Sequence, residues 1–109
     1  MTKLLIASFK GASGAEYDFN VYSFDTSFTE IEAVYIVTNR QKTLDSYFHD
    51  LIYIGQTDNL KERFENHHKA NCFEENKANT ICVHQEATEK IRLLIEEDLI
   101  KGNHTPCND

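Results

Sequence analysis

Short apolar runs separated by polar stretches dominate the first eighty residues, and helical periodicity becomes clear only near the end. Lys3 to Phe9 is apolar and is followed by Gly11-Ala12-Ser13-Gly14, a turn signal. Tyr17 to Phe24 is rich in aromatic residues in partial alternation, which predicts a strand closed by Asp25-Thr26-Ser27. Ala33 to Thr38 is a β-branched strand, and a second compact run, Leu51 to Gly55, follows the polar stretch Asn39 to Asp50. No amphipathic crossover lies between these runs, so they predict an antiparallel pair with a long connection. Thr80 to Val83 is a third strand candidate.

Thr57-Asp58-Asn59 offers N-cap chemistry for a helix over 59–70, with Leu60, Phe64 and His68 as its buried stripe. Arg63 and His67 are four apart and share a neighbouring face. A piece around 73–78 reads as a turn of helix. Ala87 to Lys101 is the clearest helix, stopped by Gly102 with Pro106 beyond. Ile91, Leu94 and Ile95 form one apolar stripe on it and Leu93, Leu99 and Ile100 a second, which predicts cover around much of its circumference. The expected fold is α+β: a three-stranded antiparallel sheet at 33–38, 51–55 and 80–84, flanked by helices. A strand pair at 3–9 and 17–24 would extend or cover it, making 1–32 an N-terminal extension packed on a domain of 33–109.

Composition narrows the function classes. The chain has 109 residues, and 18 acidic against 11 basic groups give a net charge of −7. One domain with one modest core is the expectation at this length. Proteins that hold duplex nucleic acid by their own field are usually basic, so any such binding is expected to be weak or local. No apolar run spans a bilayer, and Leu4 to Ala7 is too short for a signal-peptide core, so a cytoplasmic protein is expected. Cys72, Cys82 and Cys107 are odd in number and widely spaced, which reads as buried free thiols and not as a disulfide framework or zinc site.

One position asks for chemistry. Glu96 falls among Leu93, Leu99 and Ile100, and Asp98 falls near the other stripe; a carboxylate there is costly unless it binds a cation or accepts hydrogen bonds. Periodicity nominates both and does not choose between them. Glu97 sits between Lys90 and Lys101 and reads as a solvated pair.

Several ordered elements together resemble the GIY-YIG nuclease family. They are Ala33-Val34-Tyr35, then Tyr53-Ile54-Gly55 running on through Gln56-Thr57-Asp58-Asn59-Leu60-Lys61-Glu62 to Arg63, His67 four further on, Leu94 to Lys101 around Glu96, and Pro106 with Asn108. The likeness covers about 33–108. It departs from the family pattern at Ala33, where a glycine is usual, at Cys107, where an aromatic residue is usual, and in the longer stretch between the two tyrosines. The resemblance implies a small antiparallel sheet with helices and hydrolysis of phosphodiester bonds, with DNA as the expected substrate. It also implies one Mg²⁺ or Mn²⁺ ion held chiefly by Glu96. It assigns Tyr35, Tyr53, Arg63, His67 and Asn108 to the site, with Tyr35 as the base.

The residue types suit the chemistry. A guanidinium such as Arg63 can pair with the non-bridging oxygens of a phosphodiester under attack. A hard cation held by one carboxylate and waters can neutralise the leaving oxygen. A tyrosine with an ordinary pKa near 10 needs a cation or charged neighbour before it can accept a proton. His67 or Tyr53 could relay or orient, and Asn108 could hold Tyr35 or the backbone. Each residue alone has an ordinary structural use, as a sheet aromatic, a solvated charge or a polar tail group; the ordered set favours function. The negative charge keeps a second class open, a non-catalytic nucleic-acid- or protein-binding module on the same fold. A third is an adaptor whose aromatic N-terminal hairpin docks a partner. The sequence does not specify a partner protein or a second copy.

Overall fold

The computed structural model describes residues 3–108. The chain runs β1 (Leu5–Lys10), β2 (Glu16–Ser23), β3 (Ala33–Lys42), β4 (Tyr47–Thr57), α1 (Leu60–Glu65), α2 (Ala70–Glu75), β5 (Thr80–Gln85) and α3 (Glu89–Gly102). It is α+β, as expected, but the sheet has five strands in the order β1-β2-β5-β3-β4, not three. Every pairing is antiparallel. The N-terminal pair joins this sheet because Asn20 to Ser23 of β2 register with Thr80 to Val83 of β5. Backbone hydrogen bonds are thus satisfied by extension of the sheet, and β1 and β2 are continuous with it.

Both faces of the sheet are covered. On one face α3 buries Ile95 and Leu99 against Phe19, Val21, Val34, Ile36, Ile54 and Cys82. On the other, Leu60 of α1, Phe73 of α2 and Cys107 of the tail cover Tyr35, Val37, Ile52, Ile81 and Val83. This explains the unbroken apolar run from Ala33 to Val37, since a strand covered on both sides has no polar face. Only one stripe of α3 is buried; Ile91, Leu93 and Leu94 remain exposed, contrary to the expectation of cover around the helix.

The polar stretch 39–50 is not a loose connection. Past a register shift at Val37/Thr38, β3 and β4 continue as a two-stranded ribbon pairing Lys42 with Tyr47. Its residues are mostly exposed on both faces, so apolar periodicity could not reveal it. Just before β5 begins, Asn79 takes the place of a neighbouring strand: its Oδ1 accepts from the Arg40 peptide N–H (2.7 Å) and its Nδ2 donates to the Arg40 carbonyl (3.0 Å).

The predicted helix over 59–70 stops at Glu65, with Asn66 in a non-helical conformation. The chain turns there, so His67 is buried and His68 exposed, the reverse of the predicted stripe. The thiol expectation also fails in part. Cys72 and Cys107 form a disulfide that staples α2 to the tail, and only Cys82 is free, buried where desolvation pushes its pKa up to about 12. Sequence spacing could not show this, because the pairing depends on α2 and the tail meeting over the same sheet face. No helix among the described residues is long and apolar enough to cross a membrane.

Candidate active site

The site begins with a close approach of backbone to ring. Tyr35 on β3 is the register partner of Gly55 on β4. A Cβ at Gly55 would lie 2.6 Å from both Cζ and Oη of Tyr35 and 2.8 Å from Cε2 of Tyr53. Any side chain there would therefore displace one phenol or the other. Glycine lets the two rings meet over the strand, with centroids 6.0 Å apart. Tyr35 is fully buried and Tyr53 half-buried.

Helix α1 adds the cation. Asn59 caps it by accepting from the Glu62 N–H, and Leu60 is buried with its N–H bonded to the Ile31 carbonyl. This fixes Phe64 edge-on to Tyr35 at 5.0 Å and leaves Arg63 half-buried beside the tyrosines. Within the described residues the Arg63 guanidinium has no hydrogen bond or ion pair, yet it bears electrostatically on Tyr35, Tyr53, His67 and Glu96. It also lines a shallow polar cavity of about 320 Å³ with Thr57, Asp58, Asn59, Glu62, Asn66 and His68.

His67, just past the helix end, places Nε2 2.8 Å from the Tyr35 hydroxyl, while its Nδ1 accepts from the Lys69 peptide N–H at 3.0 Å. Burial, helped by His68, Arg63 and Lys69, lowers its pKa to about 4. It is therefore neutral near pH 7. Burial likewise raises the Tyr35 hydroxyl well above an ordinary phenol, with Tyr53 adding to the rise and Arg63 opposing it.

Glu96 arrives from the opposite face of the sheet. The anchor is Arg92, a fully buried guanidinium one turn earlier on α3. Arg92 donates to Gln56 Oε1 and to the Glu86 and Ala87 carbonyls, each at 3.0 Å, and lies 3.5 Å from a Glu32 carboxylate oxygen. Hydrogen bonds from a charged donor contribute about 1.5–3 kcal/mol apiece, more than an exposed pair such as Lys101–Glu97 can supply. The helix is thereby pinned to the end of β4. Because β4 is an edge strand, Glu96 meets the tyrosine side of the sheet around that edge. Burial raises the Glu96 carboxyl above its usual range, against the pull of the Gln56 peptide N–H and Arg63.

Asp98, which periodicity could not separate from Glu96, is committed elsewhere. Its carboxylate accepts from the Ser13 N–H (2.8 Å), the Ser13 hydroxyl (2.7 Å) and the Tyr17 hydroxyl (2.6 Å). These bonds hold its pKa below the ordinary range. It clasps the β1–β2 turn to α3, at a point where a Cβ on Gly11 would fall 2.1 Å from its oxygen.

Asn108 does not touch Tyr35. Its Oδ1 accepts from the Ile54 N–H (2.7 Å), its Nδ2 donates to the Ile54 carbonyl (2.8 Å), and the adjacent Cys107 N–H donates to the Ile52 carbonyl (3.0 Å). The tail thus seals the outer edge of β4 between the two residues that shape the site, Tyr53 and Gly55. Tyr35, Tyr53, Arg63, His67 and Glu96 come together, and Asn108 stands behind them. Sequence reasoning missed Arg92, which reads as one more solvated helix cation, and Gln56, the polar residue after the glycine.

Glu96 is the carboxylate that bears electrostatically on the tyrosine pair, while Asp58 and Glu62 line the cavity beside Arg63. Among the described residues no group of three or more His, Cys, Asp or Glu side chains could hold a metal. Glu96 alone could hold only a hard ion that keeps most of its waters; its raised proton affinity comes chiefly from burial. Compared with known proteins, the chain matches no family model, no curated protein and no solved structure.

Proposed function

We propose that this chain is a divalent-metal-dependent nuclease of the GIY-YIG type, hydrolysing phosphodiester bonds with DNA as the expected substrate. The observation that carries the reading is the uncommitted, half-buried Arg63 facing the partly desolvated Glu96 across a tyrosine pair. A guanidinium left without a partner in such a place costs stability unless an anion arrives. A tetrahedral phosphate beside it gains paired, charge-assisted hydrogen bonds. Glu96 would hold the Mg²⁺ or Mn²⁺ ion, which when bound supplies positive charge for the leaving oxygen. Arg63 binds and orients the non-bridging oxygens and meets the charge that develops on them. The tyrosine pair would assist proton loss from the attacking water, with the fully buried Tyr35 acting from behind Tyr53, and Asn108 keeps the β4 backbone from shifting beneath them.

The net charge of −7 is compatible with this reading if the phosphate is gripped locally rather than drawn by the whole surface. The test is cleavage of labelled nucleic acid by the purified protein with Mg²⁺, set against the same reaction in chelator.

A further inference from the structure

We propose that the bond between Cys72 and Cys107 is a redox switch on the site. A dithiol reductant that opens it frees the tail, releases the Asn108 clamp on β4 and lowers cleavage, and reoxidation restores both. The effect on cleavage rests on the nuclease reading; the release of the tail does not.

The tail is coupled to the site through one strand. β4 lies at the edge of the sheet, and the Asn108 amide bonds both peptide groups of Ile54 there, at 2.7 and 2.8 Å. Ile54 sits between Tyr53 and Gly55. Gly55 has little room to move, because the Tyr35 ring crosses it so closely that a Cβ would fall 2.6 Å away. A shift of the backbone at Ile54 therefore reaches both phenols.

Among the described residues, little besides the bridge holds the tail on that edge. Asn103 ties its start to the Lys10 and Leu99 carbonyls, at 2.9 and 3.0 Å. Beyond it His104 and Pro106 line a cavity of about 530 Å³ together with Ile52, Asn76 and Lys77, so this stretch does not rest on a packed layer. Of the described tail residues 103–108 only Cys107 is buried. The remaining bonds, from the Cys107 N–H to the Ile52 carbonyl and from Asn108 to Ile54, lie on a strand edge where water competes for the same groups. The two sulfurs also differ in access: Cys72 is half-buried on the short α2, whereas Cys107 is sealed. An incoming thiolate reaches Cys72 first. Asn76 Nδ2 lies 3.6 Å from both sulfurs, a donor placed to support the thiolate that leaves.

The exchange balances. A thiolate of the dithiol attacks the Cys72 sulfur, the bond between the two protein sulfurs breaks, and Cys107 leaves as a thiolate that takes a proton from solvent. The second thiol of the reductant loses its proton, attacks the mixed disulfide and displaces Cys72, which is protonated in turn. Two electrons pass to the protein, and the reductant ends as a disulfide. A small disulfide oxidant runs the same steps backwards. Cys82 takes no part, since it is buried on the opposite face of the sheet beneath α3.

The test follows amide hydrogen exchange and cleavage on the same protein, oxidised and in dithiothreitol. On reduction the Ile54 and Cys107 amides should exchange within about tenfold of an unstructured chain, while those of Ile36 and Val83 stay protected by about a hundredfold or more. Retained protection at Ile54, or its loss throughout the sheet, overturns the switch. On a labelled oligonucleotide with Mg²⁺, reduction should lower kcat by about a hundredfold, the scale of a displaced site, and oxidised glutathione should restore it. Asn108→Ala, with the bridge intact, should show a similar loss that dithiothreitol deepens by less than about threefold. Cys82→Ser should keep the full redox response. An active wild-type protein indifferent to dithiothreitol, or a response that needs Cys82, overturns the proposal. Brief exposure to reduced glutathione followed by iodoacetamide should leave glutathione on Cys72 and alkylated Cys107; the reverse overturns the order of attack. A protein that cleaves nothing in either state refutes the nuclease reading, and the exchange measurement then still decides whether the bridge holds the tail.

Discussion

Breaking the bond between Cys72 and Cys107 should destabilise the protein sharply. The two residues are 35 apart in sequence. In the chain-entropy picture, a crosslink of that span removes about 3.8 kcal/mol of freedom from the unfolded state. Total stability for a domain of this size is about 5–15 kcal/mol, so the loss is a large fraction of it. The effect should also be local, because the tail rests on few other anchors: the buried Cys107 side chain, its N–H on Ile52 and the Asn108 clamp on Ile54. The perturbation is the double variant Cys72→Ser, Cys107→Ser, or a dithiol reductant on the native protein. The assay is urea denaturation followed by circular dichroism. With a slope of about 1–3 kcal/mol per molar urea, the midpoint should fall by about 1–4 M. Thiol counting gives an independent reading: denatured but unreduced protein should present one reactive thiol, Cys82. Three thiols in that count, or a stability change below about 1 kcal/mol by the same relation, would refute the reasoning.

Glu96→Gln keeps the shape and removes the charge, so metal-dependent cleavage should fall about a thousandfold or more. The exposed Glu97→Gln should stay within about threefold, and steady-state kinetics against Mg²⁺ concentration separates the two. His67 has a pKa of about 4 in the fold against 6.5 unfolded, so the unfolded chain binds the proton first. Its contribution to stability is complete above about pH 6.5 and should be lost as pH falls from there toward 4, a slope that urea midpoints can follow and that His67→Gln should flatten. Asn108→Ala leaves both peptide groups of Ile54 without the tail's amide and should cost about 1–3 kcal/mol; an unchanged urea midpoint would mean that water replaces the clamp at no cost.

Much of the site was legible because its chemistry is local in sequence. Tyr53, Ile54 and Gly55 are adjacent, and the need for glycine becomes physical once Tyr35 is seen to cross the strand there. Arg63 and His67 sit close together along the chain, although a helix break and not a shared helical face brings them to one place. Glu96 could not be distinguished from Asp98 by periodicity, because both flank the stripe of Ile95 and Leu99; Ser13 and Tyr17, some eighty residues away, decide it. Arg92 was invisible for the same reason, since its partners at Gln56, Glu86 and Ala87 converge only in the fold. The five-stranded sheet needed the β2–β5 pairing, which no single strand's pattern encodes. The ribbon at 39–50 carries no apolar face to announce it. The disulfide depends on α2 and the tail lying over the same sheet face.

The central claim is that Arg63, Glu96 and the tyrosine pair form a metal-dependent phosphodiester-cleaving site. The most direct measurement incubates purified wild-type protein and Glu96→Gln with end-labelled single-stranded, duplex and branched DNA, in Mg²⁺, in Mn²⁺ and in chelator, and resolves the products by gel electrophoresis. The account predicts discrete cleavage of at least one substrate by the wild-type protein with either metal, no cleavage in chelator, and loss of cleavage in the variant. Cleavage that persists in chelator or in Glu96→Gln, or no cleavage of any substrate under any condition, would contradict it.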